Sequence, residues 1–183
     1  LDGIRILSVE QYGAGPYGTM LLADLGAEVI KIEDAGRGGD VSRSVGPYML
    51  GEEDSQFFQT FSKGKKSVSL DLKSEAGRAA FHDLVRTADA VANNLRGDQP
   101  GKLGLTHDAL KAVNPKIVCA HLSAYGREGE RAAWPGYDYL MQAEAGFMLM
   151  PLSLFWTLTA IVGGRTIGIA SPRYRKMTGM GLL

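Results

Sequence analysis

The sequence predicts an α/β fold, a Rossmann-like open parallel sheet with helices on both faces. Three observations point there. Short apolar runs suited to strands alternate along the chain with segments of helical period. The first two such runs, within residues 4–9 and 28–33, bracket a glycine-rich turn and one short helix, which makes a β-α-β unit. The 183 residues are 45% hydrophobic and 22% charged, which suits one soluble domain with its own core. Repeated β-α alternation implies parallel strands, because the crossover helices come to cover both faces. Ligands of such sheets sit beyond the carboxyl ends of the strands.

The first strand, residues 4–9, runs into Gly13-Ala14-Gly15-Pro16-Tyr17-Gly18, where Pro16 suits the first helical position. The second strand ends on acid at Glu33. Residues 35–54 are rich in Gly and Asp and read as a mobile surface loop. Residues 66–72 alternate apolar and polar, as a half-buried strand does. Ser74 can cap the next helix, on which Phe81, Leu84, Val85 and Ala88 share a face. Residues 90–92 form a short strand that runs into Asn93-Asn94-Leu95-Arg96. Thr106 caps a helix through Val113, which Asn114-Pro115 stops. Residues 117–122 read as a further buried strand, and residues 137–146 as a helix.

Twenty basic and twenty acidic residues cancel, so the basic excess of a non-specific nucleic-acid binder is missing. A single cysteine, Cys119, excludes an internal disulfide framework and a cysteine-based metal cluster. In its apolar run it reads as a buried thiol. His82, His107 and His121 are scattered, with no second ligand at metal spacing, so no metal is expected. The chain begins at Leu1 without a basic segment or a long apolar core, which leads us to expect a cytoplasmic, cropped chain. Glu144 is the last acid, and beyond it only Arg165, Arg173, Arg175 and Lys176 carry charge. The apolar run 149–163 contains Pro151 and falls short of the ~20 residues of a membrane span, so a buried helix or strand is expected there.

Gly13-x-Gly15-x-x-Gly18 matches the dinucleotide fingerprint, with Glu33 near the distance for a ribose contact. The alternative is a turn that only packs helix on strand. Lys63-Gly64-Lys65-Lys66 suits either attraction of a polyphosphate or a solvated sheet edge. Asn93 to Gly97, followed by Lys102-Leu103-Gly104, offers amides and cations to adenine, ribose or phosphate, or else simple turn chemistry. Asp138 is either a cleft carboxylate or an acid favoured by the helix dipole.

Together these residues resemble the family III CoA-transferases, which include formyl-CoA and carnitine CoA-transferases and α-methylacyl-CoA racemase. The resemblance rests on Leu1-Asp2-Gly3-Ile4-Arg5-Ile6-Leu7, Gly15-Pro16-Tyr17, and the run from Leu21 to Glu33. It continues through Lys63 to Ser67, Ser69 to Lys73, Asn93 to Arg96, Lys102 to Leu105, and Gly136-Tyr137-Asp138 with Gln142-Ala143. It covers about residues 1–150, as an N-terminal portion. The resemblance implies a Rossmann-like large domain over 1–150 that binds coenzyme A or an acyl-CoA as substrate, with no permanently bound cofactor. Tyr12, Gly13 and Ala14 would approach the CoA, as would Leu70, Asp71, Leu72, Lys73, Asn94, Leu95, Arg96 and Lys102. Asp34 stands where relatives often carry a basic residue. The partners implied are an acyl-CoA and a small carboxylic acid, in a homodimer, without nucleic acid or membrane.

The implied chemistry is covalent catalysis by an aspartate, through an aspartyl anhydride and then an aspartyl-CoA thioester. Here Met177-Thr178-Gly179 matches the family, but Pro151 to Lys176 does not, and it contains no Asp or Glu. Arg175 stands near the place of the nucleophile, and a cation cannot form an anhydride. Residues 151–183 therefore read as an atypical apolar and basic tail, resembling a frame-shifted insert or a degraded gene, with a divergent loop as the alternative. The expectation is a chain that lacks the family's second small domain and is inactive by itself. Three other readings stand: a NAD-dependent oxidoreductase built on the GxGxxG turn, a non-catalytic CoA-binding remnant, and the racemase branch. Tyr137 occupies the racemase histidine's position, which counts against that branch.

Overall fold

The computed structural model describes residues 1–146. The apolar run 149–163, the stretch 151–176 and residues 177–179 lie outside them. In chain order the elements are β1 (Arg5–Val9), α1 (Ala14–Asp24), β2 (Glu28–Asp34), β3 (Met49–Gly51), β4 (Asp54–Ser55), α2 (Gln56–Ser62), β5 (Lys65–Leu70), α3 (Glu75–Val85), β6 (Ala90–Asn93), α4 (Gln99–Lys102), α5 (His107–Leu110) and β7 (Val118–His121).

Five of these strands form one parallel sheet in the order β5-β2-β1-β6-β7. The chain lays β2 and β5 on one side of β1, then returns to lay β6 and β7 on the other. The direction of winding reverses between β1 and β6, and such a switch point leaves a crevice beyond the carboxyl ends of those two strands.

Helices cover both faces, as the alternating pattern predicts. On one face Leu7, Val9, Ile30, Ile32 and Val91 pack with Phe81 and Val85 of α3, and with Leu105, Leu110 and Ile117. On the other, Ile6, Ala27 and Val29 pack with Leu22 and Ala23 of α1. Strand alternation puts Lys31 and Glu33 on the same face as Val29, because side chains two residues apart share a face. The α1 side is therefore apolar at the bottom of the sheet and charged at the top.

Local signals account for most boundaries. Ser74 Oγ accepts from the Gly77 amide at 3.0 Å and starts α3, and Thr106 Oγ1 accepts from the Ala109 amide at 3.4 Å at α5. Asn114 Nδ2 donates to the carbonyls of Val85 and Ala88, which ties the end of α3 to the turn before β7. Several expectations are corrected. The strand expected over 66–72 is β5, Lys65–Leu70, and Leu72 leaves the ladder to enter the core. The helix expected through Val113 ends at Leu110. Cys119 is half-buried on the edge strand β7, and burial raises its thiol pKa.

The largest correction concerns residues 35–54. They fold into two tight turns, Ala35–Arg37 and Val41–Ser44, followed by the β3-β4 hairpin. Asp34 caps the first turn and Asp40 the second, each through its own carboxylate. Gly38 and Gly39, with φ of 73° and 97°, bend the chain between them. A Cβ at Gly39 would also lie 2.6 Å from Glu33 Oε2, so glycine is required there twice over. Asp40 and Ser42 end up buried.

The chain divides into two compact units, Leu1–Gly136 and a second that begins at Tyr137. In the second, residues 138–146 are helical. Asp138 lies in the first turn of that helix, the position favoured by the dipole, and accepts from Gln142 Nε2 at 2.6 Å.

Candidate functional site

The switch point is capped by the turn that joins β1 to α1. Each of the three residues Glu10, Gln11 and Tyr12 is held through its backbone by a side chain from elsewhere. The Glu10 carbonyl accepts from Lys31 Nζ at 3.2 Å. The Gln11 amide donates to Asn94 Oδ1 at 2.9 Å, and Asn94 Nδ2 donates back to the Gln11 carbonyl at 2.8 Å. The Tyr12 amide donates to Asp40 Oδ1 at 3.0 Å. Tyr12 has φ of 69°, the left-handed region that a tyrosine enters at a cost of about 1–3 kcal/mol. Its ring rests on Phe57 with centroids 5.2 Å apart, and Phe57, Phe61 and Tyr17 continue the contact between α2 and α1.

Beneath this crest lies a closed network of charges. Lys31 is 1% exposed in its side chain and donates to Asp40 Oδ2 at 2.6 Å. Glu10 Oε1 accepts from Lys65 Nζ at 2.7 Å, and Lys65 also donates to the Pro16 carbonyl and to Thr19 Oγ1. Thr19 donates in turn to Glu10. Two cations and two carboxylates balance, which is the condition for burying them at all. Burial lowers the Lys65 pKa, with Glu10 opposing it. Next to them Glu33 takes a two-pronged bond from Arg43, one from Ser67 Oγ at 2.6 Å and one from the Asp40 amide. Burial pushes the Glu33 carboxyl up, but the bonds from Arg43, Ser67 and Asp40 outweigh it and bring the pKa to about 2. Arg43 itself lies 3.9 Å over the Phe58 ring, on α2.

This network bears on two sequence-based readings. Lys65 is buried against Glu10 and is not open to a polyphosphate, while Lys63, paired with Asp24 at 2.9 Å, and Lys66, paired with Glu28, stay exposed. Glu33 has its oxygens engaged inside the protein and is not presented to a ribose. The third glycine of the fingerprint, Gly18, has open space where a Cβ would stand, so no close packing demands it.

The other expected site residues fall at carboxyl ends of the same sheet. Tyr12, Gly13 and Ala14 follow β1, and Asn94, Leu95 and Arg96 follow the neighbouring β6. Asn94 meets the turn directly, since a Cβ on Gly15 would lie 2.7 Å from its Cγ. Leu70 ends β5, two strands away from β1, and Asp71, Leu72 and Lys73 follow it. Leu70, Leu72 and Leu95 give their side chains to the core. Lys73 and Arg37 flank Asp34, at 4.0 and 3.6 Å. Arg96 and Lys102 share Asp98, at 3.4 and 2.7 Å. Each set carries one more cation than carboxylate. At the top of β7, His121 Nδ1 lies 2.7 Å from Asn93 Nδ2, and burial, then Arg127, lowers its pKa.

Sequence reasoning missed Lys31, Asp40 and Arg43. One signal was available for the first: a lysine between Ile30 and Ile32, in a strand flanked on both sides, needs a buried acid.

The sequence model of one protein family, CoA-transferase family III, matches residues 1–153. The chain belongs to the family III CoA-transferases. Among curated relatives it is 38% identical to the acetyl-CoA:oxalate CoA-transferase of Acetobacter aceti, over 98% of this chain and 48% of that protein. It is also 38% identical to the succinate–glutarate CoA-transferase of Agrobacterium fabrum, over 81% of this chain and 38% of that protein. The chain thus spans half or less of the length of these family III relatives. Among solved structures it resembles a CAIB/BAIF family protein from Brucella suis, with a TM-score of 0.71 and 34% identity over 79% of this chain and 39% of that one. Rv3272 from Mycobacterium tuberculosis gives 0.70 and 39% identity, over 80% of this chain and 39% of that one.

Proposed function

We propose that residues 1–150 are the coenzyme-A-binding part of an enzyme that moves CoA from an acyl-CoA to a carboxylic acid, and that residues 151–183 are an atypical tail. The family match over 1–153 carries this reading; one relative's name pairs acetyl-CoA with oxalate, and the other's names succinate and glutarate. Coenzyme A is an anionic nucleotide with a long neutral arm. Its phosphates suit Lys73, Arg96 and Lys102, together with the Gly13 and Ala14 amides at the start of α1. Tyr12 is exposed for the arm to pass, while Asp71, Leu70, Leu72 and Leu95 contribute backbone. Asn94 acts by holding Gln11. The CoA is a substrate rather than a resident cofactor, and we read the protein as a cytoplasmic homodimer that handles neither nucleic acid nor membrane.

Against the nicotinamide alternative, Glu33 is engaged inside the protein and Gly18, the third glycine of the fingerprint, faces open space. Calorimetric titration of the 183-residue chain with CoA and with NAD tests the choice. We expect CoA to bind and NAD not to; tighter NAD binding would reverse the assignment. With Arg175 where the nucleophile is expected, the chain should bind without turning over. CoA transfer from succinyl-CoA to small acids well above blank would refute that.

A further inference from the structure

We propose that Asp40 is a positioning residue of the crest, holding Tyr12 in the left-handed conformation that turns the chain from β1 into α1. The inference rests on the coenzyme A reading of that crest and adds to it a residue that makes no contact with the ligand. Tyr12 is 40% exposed, and its ring touches Phe57 at the surface. With two fifths of the residue open to solvent, packing alone holds its backbone only weakly against relaxation to negative φ. What opposes relaxation is the bond from its amide to Asp40, 28 residues away. Asp40 is built for such a task. It is 5% exposed; its Oδ1 also accepts from the amide and hydroxyl of Ser42, and its Oδ2 takes Lys31 at 2.6 Å. Lys31 in turn grips the Glu10 carbonyl, two residues before Tyr12. The pair therefore clasps both ends of Glu10-Gln11-Tyr12, while Asn94 holds the middle from across the switch point. Gly38 and Gly39 supply the reversal that returns Asp40 under the crest. A carboxylate is the right group, since it offers only acceptors.

The test titrates CoA into the 183-residue chain as wild type, Asp40→Ala, Tyr12→Gly and the double variant, and follows amide hydrogen exchange at residue 12. Asp40→Ala, which leaves no acceptor for the Tyr12 amide, should weaken CoA binding about tenfold in the wild-type background. With Tyr12→Gly already present it should cost less than about twofold, because glycine takes positive φ without a clamp. Equal losses in both backgrounds would mean a general structural role and overturn the proposal. So would unchanged CoA binding by Asp40→Ala. If Asp40→Ala does not fold, exchange in the wild type decides. A Tyr12 amide protected at least about tenfold supports the clamp, and exchange at the unfolded rate defeats it. A wild type that ignores CoA overturns the coenzyme A reading instead, and the Tyr12 amide still judges the clamp.

Discussion

Asn94 and Gln11 close a two-bond ring, amide to Oδ1 at 2.9 Å and Nδ2 to carbonyl at 2.8 Å, across the switch point of the sheet. The ring continues the ladder between β1 and β6 past the place where the strands end, with a side chain standing in for backbone. Asn94→Ala removes both bonds and leaves two half-buried backbone groups without them. We expect a loss of about 2–3 kcal/mol in urea unfolding. An unchanged midpoint would show that the ring holds nothing.

The same ring makes Gly15 and Gly18 respond oppositely to alanine. At Gly15 the new Cβ would lie 2.7 Å from Asn94 Cγ and 2.9 Å from its Cβ, and Asn94 cannot step aside without breaking its bonds. We expect Gly15→Ala to destabilise by about 1–3 kcal/mol. Gly18 sits in mid-α1, with nothing within 4 Å of the built Cβ. Gly18→Ala should stabilise by about 0.5–1 kcal/mol through the unfolded chain. Thermal melts of the two variants give the sign directly, and two shifts of the same sign would contradict the geometry.

The sheet and the starts of α3 and α5 were legible because their signals are local. Apolar runs, Ser74 and Thr106 announce themselves within a few residues. The charged upper half of the α1 face was not legible, because hydrophobic period reports apolar burial and says nothing of Asp40 or Ser42. Residues 35–54 looked polar and therefore loose, yet their polar groups are what fix them. Helix α2 was hidden for a related reason, although Ser55, which accepts from the Phe58 amide at 3.0 Å, stands before Phe57, Phe58 and Phe61 as a cap signal. Glu33 had the spacing of a ribose ligand, and only the fold reveals that Arg43 and Ser67 claim it first.

Lys31 makes the network testable as a unit. Lys31→Met keeps the stem and deletes the ammonium, which leaves Asp40 buried with its amide and hydroxyl bonds from Ser42 and Tyr12 but no cation at 2.6 Å. Removing one partner of a buried pair costs about 3–5 kcal/mol. Denaturant unfolding should register a loss of that size. A neutral or stabilising Lys31→Met would mean that desolvation already cancels the attraction.

Arg96 and Lys102 share Asp98, so one carboxylate leaves one positive charge between them. If that charge meets a phosphate of CoA, Lys102→Gln should weaken binding a few-fold and flatten its dependence on salt, since the lost term is Coulombic and screened within about 10 Å at 0.1 M ionic strength. Titrations at several salt concentrations check this. An unaltered slope would place the phosphates elsewhere.

Glu33 predicts how the protein fails in acid. Its pKa is about 2 in the fold, against an ordinary value of 4.5. A depressed carboxylate stabilises the fold fully above its unfolded pKa, and this contribution fades as pH falls toward the folded one. The difference of 2.5 units (4.5 less 2) corresponds to about 3 kcal/mol, and it disappears between pH 4.5 and about 2. Glu33→Gln removes that titration. The variant should be less stable at pH 7, because Arg43 keeps its charge and loses its partner. Its stability should also fall less steeply than the wild type's across that acid window. Parallel wild-type and Glu33→Gln curves of unfolding free energy against pH would show that Glu33 is not the group whose protonation loosens the fold.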